Sequence, residues 1–124
     1  PVPNLDKVVA RIMDVVWIEE EINFYDDGIE ITVQVTNYRL RSASFKLRAE
    51  VPNHEIHDAE PRPGRREGQQ VIWSVGLPTT ESTTYRFRIP DGNRRSFDGL
   101  ELWVEGIDSS HVIGAEPWTG VAAV

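Results

Sequence analysis

The sequence predicts an all-β domain built as a two-sheet antiparallel sandwich with a short N-terminal helix, and three observations carry that prediction. Short runs alternate apolar and polar side chains with period two, which puts one face of each strand on a core and the other in water. Clusters of glycine, proline and aspartate punctuate the runs at near-regular spacing. The chain has 124 residues and no cysteine, so it is one domain by length, and its stability must come from a core rather than from disulfides.

Leu5, Val8, Val9, Ile12, Met13 and Val16 recur at helical spacing behind Asn4, a good N-cap, and predict a short amphipathic helix over residues 5–13. From Val16 the period changes. Val16, Ile18, Ile22 and Phe24 share one parity and Trp17, Glu19, Glu21 and Asn23 the other, a strand pattern in spite of Glu20. Asp26-Asp27-Gly28 predicts a tight hairpin turn, because glycine tolerates the positive φ such turns need. Ile29, Ile31, Val33 and Val35 then alternate with Glu30, Thr32, Gln34 and Thr36, and Phe45, Leu47, Ala49 and Val51 with Lys46, Arg48 and Glu50, up to Pro52.

The stretch NHEIHDAEPRPGRREGQQ, residues 53–70, reads as a long polar connection with a short strand around Ile56. VIWSVGL is the next strand, PTTEST a loop, and Tyr85, Phe87 and Ile89 alternate with Arg86 and Arg88 in the strand after it. DGNRRSFDG is a glycine-bounded loop. Leu100, Leu102 and Val104 mark a further core strand, and His111-Val112-Ile113 a short last one stopped by Gly114. Some seven short strands so spaced point to an immunoglobulin-like sandwich. It lacks the hallmark disulfide, and Trp73 is the candidate core tryptophan. Residues 1–13 are expected to lead in from a preceding domain and residues 14–124 to form the sandwich. A first residue other than methionine, Pro1, suggests a fragment of a longer protein.

An apolar fraction of 40% and a charged fraction of 27% are ordinary for a soluble globular domain. No run approaches the ~20 apolar residues of a transmembrane helix, and no secretory leader opens the chain. No membrane contact and a cytoplasmic location are therefore expected. The net charge of −7 is segregated: residues 1–30 and 96–124 are acidic and residues 31–95 basic. Such a pattern marks a partner surface in some proteins, but pairing of opposite charges on neighbouring strands explains it more simply.

Little in the sequence carries chemistry. His54 and His57, with Glu55, Asp58 and Glu60 nearby, superficially resemble a metal cluster. An i, i+3 pair needs a helix to converge, which Pro61 and Pro63 oppose, so this stretch reads as a solvated acidic loop. Ser74, Ser109 and Ser110 have no base and orienting group placed beside them by any motif, and His111 alone does not supply them. Gly64 and Gly68 lack the strand–loop–helix setting of a phosphate cradle. No catalytic, cofactor-binding or metal-binding residue is assigned, and Glu19 to Glu21 read as an exposed strand edge.

Nucleic acid is the remaining candidate, because RPGRR supplies Arg62, Arg65 and Arg66 and NRR supplies Arg94 and Arg95. Arg39, Arg41, Lys46, Arg48, Arg86 and Arg88 would extend them into a positive strip if their strands share a sheet. The acidic total and the lack of interleaved aromatics argue for a solvated face, with at most a weak auxiliary DNA contact. The candidate contact residues are Arg62, Arg65, Arg66, Arg86, Arg88, Arg94 and Arg95, together with Trp118, which stands after the last strand between Pro117 and Thr119-Gly120.

The order of these features resembles a known family. VVARIMDVVWIEEE, then VQVTNY with a following F-x-L strand and AEVP, then VIWSV, and finally LWVEGID with VIGAEP, are similar to the C-terminal immunoglobulin-like domain of the archaeal-type DNA topoisomerase VI B-subunit. The ending is the most particular part. The resemblance implies a parent with an ATP-binding domain of histidine-kinase type, a helix-two-turn-helix domain and a transducer domain reaching the A-subunit, which holds the DNA-cleaving tyrosine. ATP and magnesium would belong to that parent, since none of the family's ATP-binding or cleavage motifs stands in these residues. Two roles follow as expectations: an accessory domain of the topoisomerase, touching DNA, the A-subunit or the rest of the B-subunit, or a binding or spacer module of a larger extracellular or envelope protein.

Overall fold

A computed structural model describes residues 14–114; the helix expected over residues 5–13 and the candidate Trp118 lie outside the described residues. The strands are β1 (Val16–Tyr25), β2 (Gly28–Asn37), β3 (Ala43–Glu50), β4 (His57–Glu60), β5 (Arg65–Glu67), β6 (Gln70–Leu77), β7 (Ser82–Ile89), β8 (Glu101–Glu105) and β9 (Val112–Gly114), with one 3₁₀ turn over Ser109–His111. They form two sheets, one ordered β4-β7-β2-β1-β9 and the other β5-β6-β3-β8. Pairing is antiparallel except between β1 and β9, which run parallel over three residues.

The period-two reading holds because each alternating run faces a neighbour sheet on one side only. Ile29, Ile31, Val33 and Val35 are fully buried, as are Leu47, Ala49, Val51, Phe87 and Ile89. The inner faces of the two sheets share one apolar core. Trp73 on β6 crosses it, with its ring 4.9 Å from Tyr85 and 6.0 Å from Phe87, both on β7 of the other sheet. Its indole N–H donates to the Pro61 carbonyl at 2.6 Å, satisfying the one polar group this ring brings inside. Trp73 thus has the structural role the sequence suggests.

The hairpin between β1 and β2 closes with Asp26-Asp27 as its two-residue loop, since Tyr25 pairs with Gly28. Gly28 has φ +144°, and a Cβ there would lie 2.7 Å from the Ile89 carbonyl oxygen on β7. Glycine is therefore required twice, by conformation and by close approach.

The long connection is the main difference from expectation. It contains two edge strands, β4 on one sheet and β5 on the other, and Ile56 is a buried anchor just ahead of β4 rather than the centre of a strand. HDAE and RRE show no alternation because both strands are exposed edges, held by backbone pairing to β7 and β6. Side-chain patterning cannot report a strand whose faces are both wet.

Asn37 ends β2 on the same parity as the core residues before it and is fully buried. Its side-chain N–H groups donate to the Leu77 carbonyl at 2.9 Å and the Arg41 carbonyl at 3.0 Å, and its side-chain oxygen accepts from the Arg39 amide at 2.9 Å. Replacing Asn37 by leucine, similar in size, orphans all three partners, and is expected to cost about 2–4 kcal/mol in denaturant unfolding. Gly28→Ala is expected to cost about 1–3 kcal/mol. Gly76→Ala, on an open strand position with nothing within 4 Å, is the matched control and should leave the unfolding midpoint unchanged or slightly raised.

Candidate functional site

The arginines do not form the strip that the sequence invites. Lys46 and Arg48 lie on β3 in one sheet, and Arg86 and Arg88 on β7 in the other, so the condition of a shared sheet fails. Arg39 is buried, at 8% exposure, and belongs to no surface strip. Arg48 is consumed by the fold: it pairs with Glu105 of β8 and with Glu67 of β5 at 2.9 Å, across the width of its sheet. The guanidinium in turn holds the Glu67 carboxyl below its ordinary range.

A smaller group does converge. β4 and β5 are the edges of the two sheets, joined directly by the crossover of residues 61–64. That crossover carries Arg62, β5 carries Arg65 and Arg66, and β7 sets Arg86 opposite Glu60 and Arg88 opposite His57 beside it. An open hollow of about 380 Å³ is lined by Ala59, Arg62, Pro63, Gly64, Arg65 and Arg66. Not all of this charge is free. Arg66 donates to the Ile56 carbonyl at 2.9 Å and bolts the two edges together. Arg65 pairs with Glu67 at 2.9 Å, and Arg88 with Asp27 at 3.2 Å. Arg62 forms no ion pair among the described residues, and Arg86 none beyond facing Glu60 across the strands.

Arg94 and Arg95 stand apart, on the loop between β7 and β8. The Arg94 guanidinium lies 4.2 Å above the Phe24 ring, which meets Phe97 edge-on at 5.6 Å, so this arginine caps an aromatic pair at one end of the sandwich. Asn93 orders the loop by accepting from the Arg95 and Ser96 amides at 2.9 and 3.1 Å.

His54 corrects the reading of a solvated acidic loop. It is buried at 7% exposure, with Nδ1 3.2 Å from the Asp91 carboxylate and Nε2 3.1 Å from the Ser96 carbonyl. Both partners are acceptors, so only the doubly protonated ring satisfies both. The Ser96 carbonyl raises the His54 pKa most, burial opposes it, and the Asp91 carboxylate adds to the rise, with Asp98 behind it. His57 is half exposed and only loosely near Glu55, at 3.6 Å. The two histidines do not converge, and among the described residues no group of three acidic, histidine or cysteine side chains is placed to hold a metal ion.

Asn37 and Leu40 are the structurally telling residues that motif reasoning passed over, and His54 is one that it weighed only as a metal ligand. Asn37 had a signal, an amide on core parity. Leu40 and His54 had none, because exposure or burial in a loop depends on what packs over it.

The fold and its surface define a β-sandwich domain with three arginines, Arg62, Arg65 and Arg66, lining one hollow at the β4–β5 edge. The chain belongs to the family described as the C-terminal domain of the type 2 DNA topoisomerase 6 B-subunit, whose model matches residues 1–113. It is similar to the type 2 DNA topoisomerase 6 B-subunit of Methanosarcina barkeri, at 25% identity over 125 residues, an alignment that covers 97% of this chain and 20% of that protein. The chain therefore spans a fifth of the relative's length. Membership of this family disfavours the spacer module of an extracellular or envelope protein.

The His54 contacts have a pH signature. With its folded pKa raised above the ordinary 6.5, the stability they contribute is fully present below about pH 6.5 and is lost as pH rises through the folded value. The urea midpoint should fall between pH 6 and pH 9, and His54→Gln should remove most of that dependence. An unchanged pH profile in the variant would assign the dependence to other groups.

Proposed function

We propose that this chain is a non-catalytic accessory domain of the ATP-dependent type IIB topoisomerase B-subunit, and that its β4–β5 edge touches DNA during strand passage. The observation that carries the reading is the family match along residues 1–113, combined with an open edge where exposed Arg62, Arg65 and Arg66 line one hollow, with Arg86 on the strand paired to β4. Phosphates are met by exposed cations in open geometry rather than by a closed pocket. In this reading ATP and magnesium act in the remainder of the B-subunit, the DNA-cleaving residue lies in the A-subunit, and those two are the domain's protein partners. The role is cytoplasmic. No described helix is long and apolar enough to cross a membrane.

The immunoglobulin-like description belongs to the same reading. β1, β2 and β7 follow the A, B and E positions of such a sandwich, and β3 and β8 the C and F positions. β9 departs from it by pairing parallel to β1 in the opposite sheet.

With so few free cations, binding is weak, with a dissociation constant of about 10⁻⁴–10⁻⁶ M at physiological salt. Titration of duplex DNA against salt should give a log–log slope that becomes shallower by about 1–2 when Arg62 and Arg65 are both changed to alanine. Arg94→Ala with Arg95→Ala should change it less, because Arg94 is engaged on Phe24. Absence of binding at low salt, with no response to either pair, would sink the DNA contact and leave the family assignment intact.

A further inference from the structure

The loop between β2 and β3, residues 38–42, presents Leu40 at 87% exposure, the most exposed large apolar side chain among the described residues. Single exposed leucines are ordinary on loops that sway. This one is held. The Leu40 amide donates to the Asp14 side chain at 2.8 Å, and the Tyr38 amide to the Val15 carbonyl at 2.9 Å. On either side of it, the Arg39 amide and the Arg41 carbonyl are bound to the Asn37 side chain, and the Thr79 hydroxyl donates to the Arg39 carbonyl. Asp14 itself takes φ +58°, and its carbonyl accepts from the His111 ring at 3.2 Å. The loop is therefore fixed to the residues through which the chain arrives at the sandwich, and it keeps an apolar tip in water at a standing cost.

We infer that Leu40 is a peg that seats this domain, in an apolar socket, against the part of the topoisomerase B-subunit leading into residue 14. The inference rests on the accessory-domain reading proposed above. Three observations choose this occupant. A leucine tip has nothing to offer a phosphate backbone, which separates this end from the β4–β5 edge. One side chain is far from the roughly 1,200 Å² that a stable free-standing interface buries, so a second copy of the chain is disfavoured. A covalently connected neighbour is present at high effective concentration, and a small preorganised contact is enough to hold it. The aligned segment is 20% of the matched relative, which supplies such a neighbour in that protein. The hydrogen bond from Leu40 to Asp14 sets the peg's direction by the path of the incoming chain.

The test uses the full-length B-subunit carrying a photoreactive diazirine leucine at position 40. Irradiation followed by mass spectrometry should yield intramolecular crosslinks to the polypeptide ahead of residue 14. Crosslinks to the A-subunit, to DNA or to a second copy, or only solvent-quenched product, would overturn the inference. As a second measurement, Leu40→Asp in the full-length protein should speed proteolysis of the junction ahead of residue 14 several-fold. Tyr25→Asp, exposed at 53% at the opposite end of the β1–β2 pair, should not; an equal response of both variants, or of neither, also overturns it. Neither readout involves DNA or strand passage, so failure here leaves the accessory-domain reading standing.

Discussion

The buried amide of Asn37 is the constraint on which this sandwich turns. Two chain crossings between the sheets occur at its end of the molecule, β2 to β3 and β6 to β7. The side chain serves the first through Arg39 and Arg41 and reaches the second through Leu77. The backbone serves the second again, because the Asn37 amide donates to the Glu81 carbonyl and the Thr80 amide to the Asn37 carbonyl, at 2.9 and 2.7 Å. A crossing loop leaves backbone groups without ladder partners, and an unpaired buried group costs about 1–3 kcal/mol. One amide, with donors and an acceptor in a fixed geometry, satisfies several of them at once. An aspartate would lack the donors and a leucine both.

The opposite end uses different chemistry for the same problem. There the chain leaves β3 and later leaves β7, and His54 after the first joins Asp91 and Ser96 after the second. An imidazole facing two acceptors bridges well only as a cation, and its charge is balanced by Asp91 with Asp98 nearby. The β7–β8 loop that carries Arg94 and Arg95 is thus fastened by an imidazole, whereas the β2–β3 loop that carries Leu40 is fastened by the neutral Asn37 amide together with the Asp14 carboxylate.

How much of this was legible depends on what period-two patterning can report. It gives the face of each residue along a strand, so β1, β2, β3, β6, β7 and β8 and their buried sides follow from the sequence. It does not say which strands are neighbours. Lys46, Arg48, Arg86 and Arg88 all alternate outward correctly, yet two pairs of them point away from the sandwich in opposite directions. Two edge strands escape it: β5 is exposed along its whole length, and β4 turns only Ala59 toward the core, too little to write a pattern into the sequence. Polar residues on core parity are the exception that rewards attention. Asn37 proved to be a hydrogen-bonding hub, and Glu20 a half-buried carboxylate whose pKa burial raises.

The distribution of arginine between structure and surface bears on what the domain can do. Arg48 spans a sheet, Arg66 bolts two edges, Arg94 caps an aromatic pair, and Arg39 is buried. What remains at the β4–β5 edge also meets a structural need, because short exposed edge strands bearing like charges resist pairing with another chain. Edge protection and phosphate contact ask for the same residues in the same place, so the arginines of β5 do not by themselves separate them. Their partners do. Protection works equally well when each cation is matched by a neighbouring acid, as Arg65 is by Glu67. Arg62, on a crossover and outside any ladder, has no edge to protect, and its exposed charge is the part of this surface that edge protection leaves unexplained.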